Sequence, residues 1–228
     1  MADAHFSPAL FRFLRELARH NDREWFTRTR ERYEREVRDP MLRFIGDLAR
    51  PLSNVSAHVV ADPRPVSGSM FRIYRDVRFS KDKRPYKTHA AAHFRHDAGR
   101  NVHAPGFYLH LEPGDVFFGA GIWHPDPGTL AAIRGAILDN TSSWTKLIRR
   151  KSFRSACSFD GESAARPPRG IDPDHPLIED LKRKDFTVIA DSSESEATSP
   201  RFLERFVRFC RAVSPLNEFL ARSLGLGW

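Results

Sequence analysis

The chain has 228 residues, 40% of them hydrophobic and 29% charged, with eighteen phenylalanines and a formal net charge of +8. That length supports a sizeable core and one large domain, and the supply of large apolar side chains excludes a disordered chain. No run of about 18 apolar residues occurs, so no membrane span is expected, and two cysteines, Cys157 and Cys210, are too few for a disulfide framework or a cysteine-based zinc site.

Ser7 and Pro8 read as the cap and first residue of a helix, followed by Leu10, Phe13, Leu14 and Leu17 at helical spacing. No export signal is expected there, because no basic stretch precedes an apolar one; cytoplasm is the expected compartment. Asn21 with Glu24 resembles a capping box for a second helix through Phe26, Tyr33 and Val37. Asp39-Pro40 is expected to break that helix and start a third carrying Met41, Leu42, Ile45, Leu48 and Leu52. From Val55 to Phe118 the period becomes two, predicting strands near 55–61, 69–77, 87–95, 106–112 and 115–121, with Glu112 to Asp115 as a tight hairpin turn.

Asp126-Pro127 opens a further helix with Leu130, Ile133, Ile137 and Leu138 inward, and another follows Asn140. Phe159 to Pro176 reads as an irregular connection rich in Pro and Gly. A short helix near 175–183, an isolated strand at 185–190, a polar loop and a terminal helix built on Phe202, Phe206, Phe209, Val213 and Phe219 complete the chain. The pattern is helical over 1–53, sheet over 55–121 and mostly helical over 127–228. Without a βαβ rhythm, it predicts a single α+β domain: a mainly antiparallel curved sheet with N- and C-terminal helices on one face. No G-x-G-x-x-G follows a first strand and no phosphate-cradling P-loop is present, so nucleotide folds of those kinds are excluded.

The charge is local. Phe71 to His89 holds Arg72, Arg75, Arg78, Lys81, Lys83, Arg84 and Lys87 against Asp76 and Asp82, which accounts for five of the eight net positive charges. In a strand, Arg72, Tyr74, Asp76 and Arg78 share one face and Ile73, Arg75, Val77 and Phe79 the other, so Arg75 points toward the core and needs a carboxylate or a bound anion. Asp82 and Pro85 suit a turn that folds Lys81, Lys83 and Lys87 back over the strand end. Convergent guanidinium and ammonium groups suit phosphate or carboxylate. Solvated cations that merely discourage edge pairing are the plainer reading, and Tyr74, Phe79 and Tyr86 interleaved with cations suit stacking on nucleic-acid bases.

The string R-D-x-R-F-S-K-D-K-x-P-Y-K-T from Arg75 to Thr88, with Pro105 to Arg134 and "FLRELARHNDREWF" near the N-terminus, resembles the family catalogued as domain of unknown function 2461 across nearly the whole chain. The resemblance implies a single cytoplasmic domain and carries no activity or mechanism. It makes Arg75, Asp76, Arg78, Phe79, Lys81, Lys83, Pro85, Tyr86 and Lys87 the motif positions; where family members more usually carry Asn, this chain has His89.

Other residue patterns are weaker. Gly119 and Gly121 allow close approach of a ligand or another backbone, and Asp126 as N-cap would fill the helix donors after it. His89, His93 and His96 would align on a helix, but in a strand His89 and His93 share a face and His96 turns away, so no metal site is expected. Cys157 reads as a small buried hydrophobe, and no G-x-S-x-G elbow is present.

These residues point to a small anionic ligand held by Arg72, Arg75, Arg78, Lys81, Lys83 and Lys87, with Tyr86 and Trp123 as apolar walls. Whether the protein is an enzyme stays open. Asp76, the carboxylate inside the cluster, is the catalytic candidate, better suited to ligating a metal or orienting Arg than to acting as a general acid. No cofactor is implied. A nucleic-acid-associated module and a non-catalytic scaffold are the alternatives, and oligomeric state is not legible.

Overall fold

Residues 3–98 and 103–228 are described in the computed structural model. Helix α1 (Pro8–Arg19) is capped by the Ser7 hydroxyl, which accepts from the Ala9 amide. For α2 (Arg23–Tyr33) the cap is Asp22, accepting from the Trp25 amide, and not the expected Asn21. The expected break at Asp39-Pro40 does not form. A π-helical segment, Glu34–Arg38, joins α2 directly to α3 (Asp39–Ser53). Its wider turn, in which the Asp39 amide bonds the Glu34 carbonyl, carries the chain past Pro40 without interruption.

Strands β1 (Val59–Val60), β2 (Ala90–His96), β3 (Gly106–Glu112) and β4 (Asp115–Ile122) follow, then helices α4 (Pro127–Asp139), α5 (Thr141–Ile148) and α6 (Lys151–Arg154). The chain continues through β5 (Ser158–Asp160), α7 (Ile178–Leu181), β6 (Phe186–Ser192), α8 (Glu194–Ala197) and α9 (Phe202–Ser223). The six strands form one open sheet in the order β1-β2-β3-β4-β6-β5, and every neighbouring pair is antiparallel. The fold is therefore α+β with an antiparallel sheet, as the pattern predicts.

Two predicted strands shrink or vanish. The strand expected over 55–61 is reduced to Val59–Val60, and none runs over 69–77; there the chain makes only isolated bridges, Met70 to Ala92 and Tyr74 to Tyr86. Over 55–59 the amides of Val55, Ser56 and Val59 turn back to the Leu52 and Ser56 carbonyls; beyond Val60 a repeated Asp-x-Arg unit stands at 62–64, 76–78 and 82–84. In each, the aspartate accepts from the backbone amide two residues on and from the guanidinium of the same arginine, at 2.5–3.3 Å. Side chains that satisfy their own backbone compete with a ladder, and at these three positions they form turns. Conversely, β5 lies at the start of the expected irregular connection. Helix α8 lies in the expected polar loop, made by a capping box between Ser193 and Glu196.

Alternation along β2, β3, β4 and β6 sends Phe94, Phe107, Leu109, Phe118, Ile122, Phe186 and Val188 to one side, all buried. That side packs on α9 and α3: Phe118 meets Phe202, Phe206 and Phe209 at ring-centre distances of 5.3, 5.1 and 5.6 Å. Phe206 also touches Phe94 at 5.4 Å and Phe44 at 5.9 Å. Buried aromatic pairs at such spacing add attraction beyond the area they remove from water. Among the described residues, α9 and α3 lie on this side of the sheet and not on the other.

Gly121 of β4 has φ +115°, and a Cβ there would lie 1.9 Å from the Phe186 carbonyl oxygen. Since that obstacle is backbone of the paired strand β6, Gly121→Ala should cost at least about 3 kcal/mol, combining the clash with the left-handed strain. Urea unfolding checks this; wild-type stability in the variant would contradict the pairing of Gly121 with Thr187.

Candidate functional site

The uncovered sheet face is built by the residues that alternate with the core: His89, Ala91, His93 and Arg95 along and just before β2, Gly106, Tyr108, His110 and Glu112 on β3, and Phe117, Gly119 and Gly121 on β4. Much of it forms the floor of a cavity of about 780 Å³. Such a volume lies within the usual range for small-molecule sites. Phe71 and Lys87 rise on one side, Trp123 on another, with Asp160 and Thr187 toward the β5 edge.

The Phe71 wall is held by backbone. Residues 69–71 lie along β2, with the His93 amide donating to the Ser69 carbonyl and the Phe71 amide to the Ala91 carbonyl, both at 2.9 Å. Beyond them the arm turns away and returns at Tyr86. Asn21 grips Tyr86 from both sides, its Nδ2 donating to the Tyr86 carbonyl and its Oδ1 accepting from the Tyr86 amide at 3.0 Å each. Phe26 stacks on the Tyr86 ring at 4.1 Å. Tyr86 is thus buried against α2, and Lys87 emerges on the cavity side.

The Trp123 wall depends on Asp185, whose buried carboxylate accepts from the amides of His124 (2.7 Å) and Glu162 (3.0 Å) and lies 3.0 Å from His124 Nδ1. Burial pushes this carboxyl up, but those hydrogen bonds outweigh it and hold it below its usual value. His124 is thereby fixed at φ +49°, with Trp123 stacked on its ring at 4.0 Å. As expected, Asp126 fills the first amides of α4, accepting from Gly128 and Thr129 at 2.8 and 2.9 Å.

The structure does not bring the sequence-predicted cations together. Arg75 Nη1 bonds Asp82 at 2.6 Å, Arg78 pairs with Asp76, and Arg84 shares Asp82. Lys83 Nζ donates to the Val77 carbonyl at 3.0 Å. Asp76, the catalytic candidate, lies outside the cavity, held low first by the Arg78 side chain. Among the described residues Arg72, Lys81 and Lys87 have no carboxylate partner, and of these Lys87 lines the cavity. Trp123 lines it too. The residues that sequence reasoning misses are Phe71, His93, Arg95 and Tyr108; alternation from His89 through Arg95 groups His93 and Arg95 on one side but does not mark that side as a cavity, and no local signal marks Phe71 or Tyr108.

Inside the cavity Lys87 Nζ sits 5.1 Å from the centre of the Phe71 ring, a cation–π contact, and burial with the nearby Arg72 charge lowers its pKa. His93 stacks on the other end of this wall, 6.4 Å from Phe71. Its Nδ1 accepts from Arg95 Nε at 3.2 Å, which puts the ring proton on Nε2 above Gly106. Burial, then the Arg95 charge, lowers the His93 pKa to about 4; burial, then the His110 charge, does the same for His89. Both imidazoles are neutral at pH 7. At the far corner Tyr108 Oη, His110, Glu112 and Thr88 form a hydrogen-bonded chain.

A one-sided antiparallel sheet whose bare face is walled into an aromatic and basic cavity defines an α+β protein with a candidate small-molecule site. The chain belongs to the family described as "Conserved hypothetical protein (DUF2461)", whose model matches residues 9–219. No curated protein and no solved structure matches the chain. Among the described residues, no helix is long and apolar enough to cross a membrane.

A histidine whose folded pKa is depressed stabilises the fold fully above its unfolded value near 6.5, and that contribution drains as pH falls toward about 4. Stability by urea unfolding should therefore be flat from pH 8 to 7 and decline between 6.5 and 4, with a shallower decline in His93→Gln. The same slope in both proteins would contradict a buried neutral His93.

Proposed function

We propose that the cavity on the open sheet face binds a small ligand with a planar apolar body and an anionic group, a carboxylate or phosphate. The supporting observation is that Lys87 and Arg95 both line it without a carboxylate partner among the described residues, while Phe71, Tyr108, Phe117 and Trp123 supply aromatic surface. Lys87 is partly buried, and such a cation without a counter-charge is costly, a cost that an anion offsets; the exposed Arg95 stands at the rim as a second donor. The neutral His89 and His93 add hydrogen-bonding capacity without competing for the anion. Of the predicted set, this reading keeps Lys87 and Trp123 and gives Arg75, Arg78 and Asp76 the task of shaping the arm.

Thermal melting with phenyl phosphate and benzoate as probes tests the proposal. Saturable stabilisation is expected. Lys87→Ala and Arg95→Ala should each weaken it at least tenfold, in line with the ~1.5–3 kcal/mol of a charge-assisted hydrogen bond, while Arg78→Ala leaves it unchanged. No shift with either probe, or shifts indifferent to both cavity variants, would overturn the reading.

A nucleic-acid surface is the second reading, supported by Phe79, which is 96% exposed with the Arg78 guanidinium 5.8 Å from its ring centre, on an arm whose Arg72 and Lys81 have no carboxylate partner among the described residues. It requires single-stranded oligonucleotide binding that falls steeply with salt and is lost in Phe79→Ala.

A further inference from the structure

We propose that His89, His110 and Glu112 form a site for one divalent first-row transition ion at the corner of the open sheet face. The strand register creates it. Ala90 pairs with Leu111 and Ala91 with His110, so His89 comes opposite Glu112 and diagonal to His110, all on the uncovered side. One donor atom from each, an imidazole nitrogen from either histidine and a carboxylate oxygen, lies within 4.8 Å of the others. His110 Nε2 is 3.3 Å and His89 Nδ1 3.9 Å from Glu112 Oε2. Metal bonds of about 2.0–2.2 Å place neighbouring donors of a tetrahedron roughly 3.4 Å apart, so closing on an ion needs only small side-chain movements.

The second layer is in place. The Thr88 hydroxyl donates to Glu112 Oε1, which leaves Oε2 turned toward the imidazoles. Tyr108 Oη lies 2.9 Å from His110 Nδ1 and fixes the ring. Without an ion, the tautomer that satisfies both neighbours has Nε2–H donating to Glu112 and Nδ1 accepting from Tyr108. With an ion bound, the proton moves to Nδ1 and donates to the Tyr108 oxygen, freeing the Nε2 lone pair. Asp115 Oδ2, 4.0 Å from His110 Nε2, stands ready as a further oxygen donor. Two imidazoles with carboxylate suit Zn²⁺, Fe²⁺, Co²⁺ or Ni²⁺ better than Mg²⁺ or Ca²⁺.

A second histidine cluster shows what such a site must avoid. His58, His96 and Asp97 also lie close together, but His96 Nε2 is 2.8 Å from the Gly227 carbonyl and its Nδ1 accepts from the Ala98 amide at 3.1 Å. Both His96 nitrogens are committed to backbone, and the cluster holds the end of the chain. The proposed ion site shares His89 with the cavity lining but uses neither Lys87 nor Arg95, so the Lys87→Ala and Arg95→Ala variants report on the anion reading and Glu112→Gln on the ion.

The test is titration of Zn²⁺ into the chelator-treated full chain by calorimetry, with Co²⁺ absorption as a report on the ligand set. One ion per chain is expected, with visible Co²⁺ bands. His89→Ala and Glu112→Gln should each weaken Zn²⁺ binding at least tenfold and diminish those bands, while His58→Ala leaves both unchanged. Should Glu112→Gln not fold, the partly exposed His89 carries the comparison. Absence of binding, equal affinity in wild type and His89→Ala, or loss in His58→Ala would overturn the proposal.

Discussion

The strictly alternating geometry of four neighbouring strands governs this molecule. Burying Phe94, Phe107, Phe118 and Phe186 beneath α9 and α3 is the favourable step, since large aromatic side chains contribute most per residue to the hydrophobic effect. Once that side is committed, the intervening residues have no freedom to be elsewhere. His93, Arg95, Tyr108, His110 and Glu112 are delivered to the opposite side by register alone, and a one-residue slip would put the imidazoles and the guanidinium under the phenylalanines. Core and site are two consequences of one pairing.

The walls arise from different chemistry. Backbone mimicry by Asn21 ties the basic arm to α2, and the three Asp-x-Arg units shape its turns. Those ion pairs are exposed and screened by water, so they organise conformation more than they stabilise the fold. Their effect on electrostatics is larger: they pair Arg64, Arg78 and Arg84, with Arg75 also on Asp82, while Lys87 is the cation the arm contributes to the cavity. Asp185 has the corresponding role on the other side, committing a buried carboxylate to the corner that presents Trp123.

What is legible in the sequence follows the strength of the local signal. The β3–β4 hairpin is readable because Glu112 to Asp115 is a turn signature between two alternating runs, and α1 because Ser7-Pro8 precedes a helical stripe. The need of Arg75 for a carboxylate is readable from its parity, and Asp82 meets it. The strand expected over 69–77 is broken into two isolated bridges, because its first part bonds β2 and its second the returning stretch at 85–87, with the Asp76-Arg78 turn closing its end. Parity also groups His89 with His93. What it cannot supply is that this side of the sheet lies bare, since that depends on where α9 and α3 settle, a long-range outcome. Arg95 and Phe71 stay hidden for the same reason.

Where Gly106 pairs with Gly121, and at Gly119 beside Tyr108, the cavity floor is peptide backbone without side chains of its own, though the His93 ring lies over Gly106. A flat molecule resting there would touch amide planes directly, and the headroom above it is set by missing methyl groups. The three positions differ in how they could be adjusted. At 106 an added carbon would strike the Phe94 carbonyl and the His93 ring, and at 121 the backbone of β6; at 119 its nearest neighbours are side-chain atoms of Tyr108, the Cβ first at 3.4 Å, an ordinary contact. Position 119 is therefore a natural dial for pocket depth, able to change by one carbon while the sheet beneath it stays as it is.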